Sequence, residues 1–432
     1  MTTAATPLLM LARQIHDQTV PARRRRGITS VCSAHPLVLE AALSRAARTR
    51  HPVLIEATCN QVNQEGGYTG MTPAAFRDMV HDIARRVDCP RDRILLGGDH
   101  LGPNPWKSLP AEEAMDRAQA MIAAYAEAGF VKLHLDASMG CRGEAAALPD
   151  AVVARRACTL AARAEAARPG QAAYIIGTEV PVPGGVADSL DHLCPTSPTA
   201  ALQTLHIHEE IFTTTLGQDV WERVIALVVQ PGVEFGVEDV AFYRRERARD
   251  LIDTLSCMPG RVFEAHSTDY QPLSALRALV EDGFAILKVG PGLTFALREA
   301  LYALDDIRAV LRPERTSLRN TMERLMRDNP VFWQGHYAGN ARQIEWMRHY
   351  SYSDRIRYYW ALPQAQAAVQ SLFDDLGETG LPDPLISQFL PGLYEDIRTG
   401  SIPRNPRIIA ITAVETVLNI YDHACHGNRV SA

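Results

Sequence analysis

The sequence predicts an α/β protein, a (β/α)8 TIM barrel with a C-terminal helical extension. Short apolar or β-branched runs occur eight times between residues 27 and 290, and Gly, Pro or polar turns flank them, as expected of buried parallel strands. Helical patterns separate these runs, which favours alternating strands and helices. Polar residues end at least six of the runs, which is typical of an active site built from several strand ends. An open doubly wound sheet is the alternative.

Each strand of the predicted barrel is followed by a helical pattern. The predicted strands cover residues 27–34, 52–58, 93–98, 131–137, 172–178, 224–231, 261–266 and 284–290. The predicted helices cover residues 35–48, 72–86, 111–128, 150–167, 198–216, 237–256, 271–282 and 297–312. Thr72 and Pro73 are typical of a helix start, while Gly129 and Gly283 are typical of the residue after a helix end.

The pattern changes beyond residue 312, where no strong strand signal occurs. We predict a barrel over residues 1–312 that includes a short amphipathic N-terminal helix, and a helical extension over residues 313–432. The chain has no low-complexity linker, so we expect the extension to pack on the barrel.

Composition excludes several classes of function. The 432 residues are 47% hydrophobic and 22% charged with a net charge of −6, which suits a large packed core and gives no sign of a nucleic-acid partner. No apolar stretch reaches about 18 residues, so we expect no membrane span. The eight cysteines form no CxxC pair, which favours reduced thiols and a cytoplasmic protein.

Two histidines at predicted strand ends indicate a metal site. His100 follows the apolar run 94–96, and His266 follows another, so both side chains are expected at the mouth of the barrel. Two imidazoles and a carboxylate can hold a divalent cation with one position open for substrate, and Glu234 and Glu179 are the candidate carboxylates. The alternative for either histidine alone is a hydrogen-bonded core residue.

Further polar residues surround these two histidines. Asp99 is a candidate proton shuttle beside the metal, or else a helix cap. The segment Lys288–Thr294 follows the eighth predicted strand and is predicted to bind phosphate through Ser267, Thr268, Gly290 and Thr294, because barrels often bind phosphate after the seventh and eighth strands. A glycine-rich turn without a ligand is the alternative.

An aromatic and Arg-rich segment over residues 350–360 could cap the pocket. Arg355 is its candidate anion ligand, and packing on the barrel is the alternative. The chain has no Walker A motif, no GxGxxG after a strand and no GxSxG, so the sequence gives no support for nucleotide-dependent kinase, nicotinamide or serine-hydrolase chemistry.

Seven segments together resemble the GatZ/KbaZ family over about residues 10–425. They are Glu56-Ala-Thr-Cys-Asn-Gln-Val-Asn63, Leu96-Gly-Gly-Asp-His-Leu-Gly-Pro103, His134-Leu-Asp-Ala-Ser-Met139, Ile176-Gly-Thr-Glu-Val-Pro-Val-Pro-Gly-Gly185, Val228-Val-Gln-Pro-Gly-Val-Glu-Phe235, Phe263-Glu-Ala-His-Ser-Thr-Asp-Tyr-Gln271 and Ile286-Leu-Lys-Val-Gly-Pro-Gly292. Members were named as the non-catalytic subunit of class II tagatose-1,6-bisphosphate aldolase or as tagatose-6-phosphate kinase. Relatives are epimerases acting at C4 of ketohexoses, their 6-phosphates or ketohexuronates.

The family is related to class II aldolases, which are zinc barrels. The resemblance implies that Asp99 is an acid/base, that His100 and His266 are metal ligands, and that Glu234 stands where aldolases have a histidine. The implied cofactor is a divalent metal, zinc or else manganese or magnesium.

The resemblance implies a C4 epimerase of galactitol catabolism that converts tagatose 6-phosphate to fructose 6-phosphate by retro-aldol cleavage and re-addition. Asp99 or Glu179 would take the C4 hydroxyl proton, and Asp136 would share that task or brace a neighbour. The expected substrate-binding residues, some already proposed above, are Glu56, Asn60, Ser267, Thr268, Lys288, Gly290 and Arg355.

Two other functions remain open at this point. The chain could be a stabilising subunit that binds the true aldolase, or a true aldolase itself, although Glu234 weighs against the latter. The sequence leaves open the metal, the phosphorylation of the ketose and the formation of a homo-oligomer.

Overall fold

The computed structural model describes residues 5–17, 19–177 and 193–427 of the chain. Eight parallel strands close into a barrel in the order β1-β10-β9-β6-β5-β4-β3-β2, which confirms the predicted TIM barrel. The barrel strands are β1 (Ile28–Cys32), β2 (Val53–Thr58), β3 (Ile94–Leu101), β4 (Lys132–Leu135), β5 (Ala173–Ile176), β6 (Val224–Val229), β9 (Val262–Ala265) and β10 (Phe284–Val289). Each of them lies within or overlaps one of the predicted strands.

Helices follow the strands around the outside of the barrel. They are α1 (Thr6–Ile15), α2 (Pro36–Thr49), α3 (Pro73–Arg86), α4 (Ala111–Glu127), α5 (Asp150–Ala167), α6 (Pro198–Leu216), α7 (Gln218–Trp221), α8 (Arg245–Asp253), α9 (Leu273–Glu281) and α10 (Pro291–Leu311). Side-chain caps fix several starts: the hydroxyl of Thr72 accepts a hydrogen bond from the backbone N–H of Ala75 at 3.3 Å, and Ser197 caps α6 in the same way.

Two predicted helix starts are wrong. The expected helix over 237–256 begins only at Arg245, because β8 (Val240–Ala241) first pairs antiparallel with β7 (Glu234–Phe235). Helix α10 begins at Pro291, directly after β10, and not at residue 297. Proline favours the first turn of a helix because its fixed φ suits that turn and its missing N–H is not needed there.

The chain after α10 is helical. It forms α11 (Leu318–Asp328), α12 (Ala341–Tyr350), a 3₁₀ helix (Arg355–Tyr359), α13 (Pro363–Thr379), α14 (Asp383–Phe389), α15 (Tyr394–Arg398) and α16 (Pro406–His426). Helix α16 packs against α2, α9, α10 and β1, so the last helix of the chain lies on the barrel wall.

Helix α16 is also the one helix in the described residues that is long and apolar enough, by length and composition, to cross a membrane. A core helix of a globular protein passes the same test. Helix α16 packs on three barrel helices, and 44% of its most apolar window is buried.

The amino-terminal end of the barrel is apolar and closed. Leu8, Ala12 and Ile15 of α1 are buried in one cluster with residues that begin the barrel strands, among them Ile28 and Leu54. The opposite end, where the strands finish, carries the buried polar residues.

Candidate active site and metal centre

The carboxyl ends of β3, β4 and β9 bring three imidazoles and a carboxylate together. Ligand atoms of Asp99, His100, His134 and His266 all lie within 4.8 Å of one another, and all four residues are buried. The ring centroids of His100 and His266 are 4.9 Å apart, so the two histidines predicted to meet across the barrel mouth do so.

One ring nitrogen of His100 is hydrogen-bonded, and the other makes no hydrogen bond among the described residues. The residue has a φ of 48°, in the left-handed region, where β3 ends its regular course. Its Nδ1 lies 2.8 Å from Oδ2 of Asp136. Although burial alone would raise the pKa of Asp136, its contact with His100 lowers it, so Asp136 accepts this hydrogen bond as a carboxylate. The lone pair therefore lies on Nε2, which is buried and makes no hydrogen bond among the described residues.

His266 is oriented by a buried ion pair. Its Nε2 lies 2.9 Å from Oε1 of Glu264, and the same oxygen accepts a hydrogen bond from Nζ of Lys132 at 2.8 Å. Lys132 also contacts Oε1 of Glu56 at 2.6 Å, and all three charged side chains are fully buried in the barrel. A carboxylate only accepts, so the proton of His266 lies on Nε2 and its lone pair on Nδ1.

Both ring nitrogens of His134 contact protein atoms. Nε2 lies 2.9 Å from the carbonyl oxygen of Gly177, while Nδ1 lies 3.1 Å from Oδ1 of Asp99 and 3.2 Å from the backbone nitrogen of His100. Burial alone would lower the pKa of His134, but the Asp99 carboxylate raises it. These contacts favour His100 over His134 as a metal ligand.

Asp99 lies at the centre of the charged groups. It pairs with Lys288 of β10 and lies 3.7 Å from Nε2 of His100. Burial alone would raise the pKa of Asp99, but the His100 imidazole and the Lys288 ammonium group hold it well below its ordinary value. Asp99 is therefore ionised at neutral pH and can accept a proton.

Glu234 lies beside the cluster but not within it. It is buried in β7, and its Oε1 accepts a hydrogen bond from the backbone N–H of Phe235 at 3.0 Å. Burial raises its pKa to about 7, while its hydrogen bond with Ser267 opposes that rise. The four residues whose ligand atoms converge include His134 and Asp99 and do not include Glu234.

The cluster opens onto a cavity of about 160 Å³. Of the predicted site residues, His100, His266, Asn60, Ser267, Lys288 and Gly290 line it. The other predicted residues in the described part of the chain do not line it; they are Glu56, Asp99, Asp136, Glu234, Thr268, Thr294 and Arg355. Glu56 is fully buried against Lys132, and the hydroxyl of Thr268 donates to the carbonyl oxygen of Lys288 at 2.6 Å.

Arg355 does not reach the cavity. Its Nη1 donates to the carbonyl oxygen of Phe332 at 3.1 Å, and the cavity is lined instead by Arg357 of the same 3₁₀ helix. Glu179, the remaining predicted catalytic residue, lies outside the described residues, as do Gly184 and Gly185.

The predicted phosphate loop after β10 is already capped by a side chain. The backbone N–H groups of Gly290 and Gly292 donate to Oδ1 of Asp269 at 2.9 and 2.7 Å. Asp269 is buried, so its carboxylate occupies the place that a phosphate would take at the start of α10.

Several site residues were missed in the sequence. Lys132 and Glu264 are charged residues inside apolar runs, and that position is the signal that could have found them. His134 and Asp269 lie in segments that carry the family resemblance, but neither these two residues nor Arg357 is among the predicted site residues.

The residues present fit a divalent cation. The Nε2 atom of His100 is a buried nitrogen without a hydrogen bond among the described residues, and it faces the converging ligand atoms. Burial lowers the pKa of His100, and it lowers that of His266 to about 3, so both imidazoles are neutral at pH 7. Neutral imidazole is the form that binds metals.

A parallel barrel with imidazoles and carboxylates converging at its strand ends defines the class: a TIM-barrel protein with a buried cluster able to bind a metal. The chain belongs to the D-tagatose-1,6-bisphosphate aldolase subunit GatZ/KbaZ-like family, which it matches over residues 13–426.

Two relatives resemble the chain over nearly its full length. A D-tagatose 6-phosphate 4-epimerase of Agrobacterium fabrum (strain C58 / ATCC 33970) is 52% identical over 411 residues, which are 93% of this chain and 95% of that protein. The chain also matches the crystal structure of a probable tagatose 6 phosphate kinase from Sinorhizobium meliloti 1021. The two have a TM-score of 0.87 and 56% sequence identity, and the match covers 93% of this chain and all of that one.

Proposed function

We propose that this protein is a metal-dependent C4 epimerase that converts D-tagatose 6-phosphate to D-fructose 6-phosphate. The observation that carries the proposal is the meeting of His100 and His266 beside the Asp99–Lys288 pair at the wall of one cavity. The 52% identity to an epimerase of that name supports the substrate.

The chemistry must invert a carbon that the carbonyl group does not activate. C4 is not adjacent to the C2 carbonyl, so direct removal of its hydrogen is unfavourable. Loss of the C4 hydroxyl proton can instead break the C3–C4 bond, giving an aldehyde at C4 and an enediolate from C1 to C3. Rotation of the aldehyde and re-formation of the same bond on its other face give the epimer, with no net change in atoms or electrons.

The proposed metal ligands are His100 and His266, with Glu234 as the third. Asp136 and Glu264 fix the tautomers of the two imidazoles, which places the lone pair of His100 on Nε2 and that of His266 on Nδ1. A bound divalent cation, zinc or else manganese or magnesium, supplies Lewis-acid stabilisation of the negative charge on the substrate oxygens. Burial raises the pKa of Glu234 and so disfavours its ionised form. A nearby cation would stabilise the ionised carboxylate.

Asp99 is the proposed acid/base for the C4 hydroxyl, and Glu179 the proposed alternative. Asp99 can accept a proton and return it after rotation, while Lys288 holds its carboxylate in place. Asn60, Ser267, Lys288 and Gly290 line the cavity and are proposed to contact the sugar. Glu56 and Thr268 support this wall from behind.

We also propose that residues 1–312 and 313–432 form the barrel and its extension, and that the protein acts in the cytoplasm. The packing of α16 on the barrel wall supports a single unit. A homo-oligomer remains a prediction.

The test is to incubate the purified protein with tagatose 6-phosphate and to measure fructose 6-phosphate, after metal removal and after addition of each divalent metal. Asp99→Asn should lower kcat by about 10²- to 10⁴-fold. Asp116→Asn, on an exposed turn of α4, is the matched control and should retain the wild-type rate. If no fructose 6-phosphate forms with or without metal, the proposal is wrong.

The family description favours a second candidate, a non-catalytic subunit of the bisphosphate aldolase. It predicts that the isolated chain has no epimerase activity and that it raises the stability of an added aldolase subunit. Turnover of tagatose 6-phosphate by the isolated chain would contradict it.

A further inference from the structure

A second cavity adjoins the candidate active site. This distal cavity has a volume of about 170 Å³ and shares Cys32, Gln61, Tyr68, Gly290 and Arg357 with the first cavity. The histidines His100 and His266 line only the first cavity. A ligand whose reacting carbons lie at these histidines can therefore extend along the shared residues into the distal cavity.

Arg357 is the cationic residue of this common wall. It comes from the 3₁₀ helix of the extension and is half-buried. Its Nη1 donates to the carbonyl oxygens of Ser353 at 2.5 Å and Asp354 at 3.0 Å, and its Nη2 donates to the hydroxyl of Tyr358 at 2.9 Å. These are neutral partners, and in the described part of the chain no carboxylate lies within salt-bridge distance of Arg357.

The other cation at the first cavity is already neutralised. Lys288 forms an ion pair with Asp99, so its charge is matched inside the protein. The start of α10, the usual place for a phosphate in a barrel, is occupied by the carboxylate of Asp269. Arg357 is therefore the cationic residue on the wall of these cavities that forms no ion pair among the described residues.

We infer that Arg357 binds the phosphate group of the ketohexose 6-phosphate at the junction of the two cavities. This inference rests on the proposed function. A guanidinium group has five N–H donors, of which three are used in the contacts above, so two remain for phosphate oxygens, and Tyr68 and Gln61 lie on the same wall. The sugar carbons then lie toward His100 and His266. Because Arg357 belongs to the extension, the extension gives the protein its preference for phosphorylated over free ketoses.

The test measures the binding of fructose 6-phosphate and of inorganic phosphate by calorimetry, together with the epimerase kinetics. Arg357→Gln should weaken binding of fructose 6-phosphate by about 10- to 100-fold and raise KM with little change in kcat, because a hydrogen-bonded charge on the phosphate is lost. Arg357→Lys keeps the positive charge and should lose less.

Arg355→Gln is the matched control, since it removes the same charge two residues away on the same 3₁₀ helix without facing the cavity. It should bind fructose 6-phosphate like the wild type, and thermal melting should verify that each variant is folded. Equal binding by folded Arg357→Gln and wild type would overturn the inference, as would equal losses in Arg355→Gln and Arg357→Gln.

Failure of the proposed function gives a different result. A wild-type protein that binds fructose 6-phosphate through Arg357 but forms no tagatose 6-phosphate would retain the phosphate site and refute the epimerase. A wild-type protein that interconverts the sugars while Arg357→Gln binds them normally would retain the epimerase and refute the phosphate site.

Discussion

A buried network of charged side chains in the barrel contacts one of the candidate metal ligands. Lys132 lies between Glu56 and Glu264, and Glu264 in turn contacts His266. Burial alone would raise the pKa of Glu264, but the adjacent Lys132 ammonium group lowers it, which keeps Glu264 ionised. Such a network is costly to bury, so its value lies in what it positions, namely the His266 imidazole.

Glu264→Gln should therefore lower metal affinity. The amide keeps the size of the side chain but lacks the negative charge that makes the His266 imidazole a stronger ligand. We expect the dissociation constant for Zn²⁺ to rise by about 10- to 100-fold, measured by competition with a chromophoric chelator.

Glu165→Gln provides a control for this experiment. Glu165 also accepts hydrogen bonds from neighbours, Tyr174 and Arg223, but it lies on α5, away from the cluster. Its substitution should leave Zn²⁺ affinity unchanged. Wild-type affinity in Glu264→Gln would show that the contact between Glu264 and His266 has no role in metal binding.

At the scale of elements, a buried carboxylate joins the extension to the barrel. Oδ2 of Asp354, at the start of the 3₁₀ helix, accepts a hydrogen bond from the hydroxyl of Thr294 in α10 at 2.5 Å. Its other oxygen is buried without a hydrogen bond among the described residues. Burial raises the pKa of Asp354 from 3.8 to about 7, because one hydrogen bond does not replace the hydration of the charge.

This pKa makes the stability of the protein depend on pH with a defined sign. Between about pH 4 and pH 7 the folded protein binds a proton at Asp354 that the unfolded chain does not, so stability is highest at low pH within this range and falls as pH rises. The Asp354→Asn variant has no carboxyl group at this position, so its stability should not fall in this way as the pH rises. Asparagine also tolerates the positive φ of 46° found here.

As the pH rises from 5 to 8, the free energy of unfolding of Asp354→Asn should increase by roughly 2–3 kcal/mol relative to that of the wild type, measured by urea unfolding at each pH. Asp374→Asn, at an exposed position on α13, should show no such change relative to the wild type. A difference between wild type and Asp354→Asn that does not vary with pH would contradict the prediction.

The elements were predictable to the extent that they repeat a pattern. Each barrel strand is a buried apolar run, so all eight were found from the sequence. The hairpin of β7 and β8 was missed because strands of two residues have no measurable period. Helix boundaries differed where a turn residue, such as Pro291, decided the start.

The site was predictable where a polar residue ends a strand and not where it lies within one. His100, His266 and Asp99 were found because they follow apolar runs. Lys132 and Glu264 were missed because an isolated polar residue in a strand can face either side until the register of the barrel is known. Arg355 and Arg357 differ by two positions on a helix with three residues per turn, so they face different directions, and composition cannot choose between them.

At the scale of the whole molecule, the two ends of the barrel have different roles. The carboxyl end carries the charged cluster and receives Arg357 from the extension. The amino end is apolar and covered by α1, whose Leu8 is only 1% exposed. This separation means that the stability of the barrel can be changed from one end without altering the chemistry at the other.

Leu8→Ala should thus reduce the free energy of unfolding by about 2–5 kcal/mol, because it leaves a cavity between α1 and the barrel strands. Met10→Ala lies on the same helix, but Met10 is 65% exposed, so this control should stay within about 0.5 kcal/mol of the wild type. Denaturant unfolding measures both, and chelator competition on the folded proteins should give the same Zn²⁺ affinity for wild type, Leu8→Ala and Met10→Ala. Equal stabilities of the two variants would mean that α1 does not seal the barrel, whereas a loss of Zn²⁺ affinity in folded Leu8→Ala would mean that the two ends are coupled through the Lys132 network.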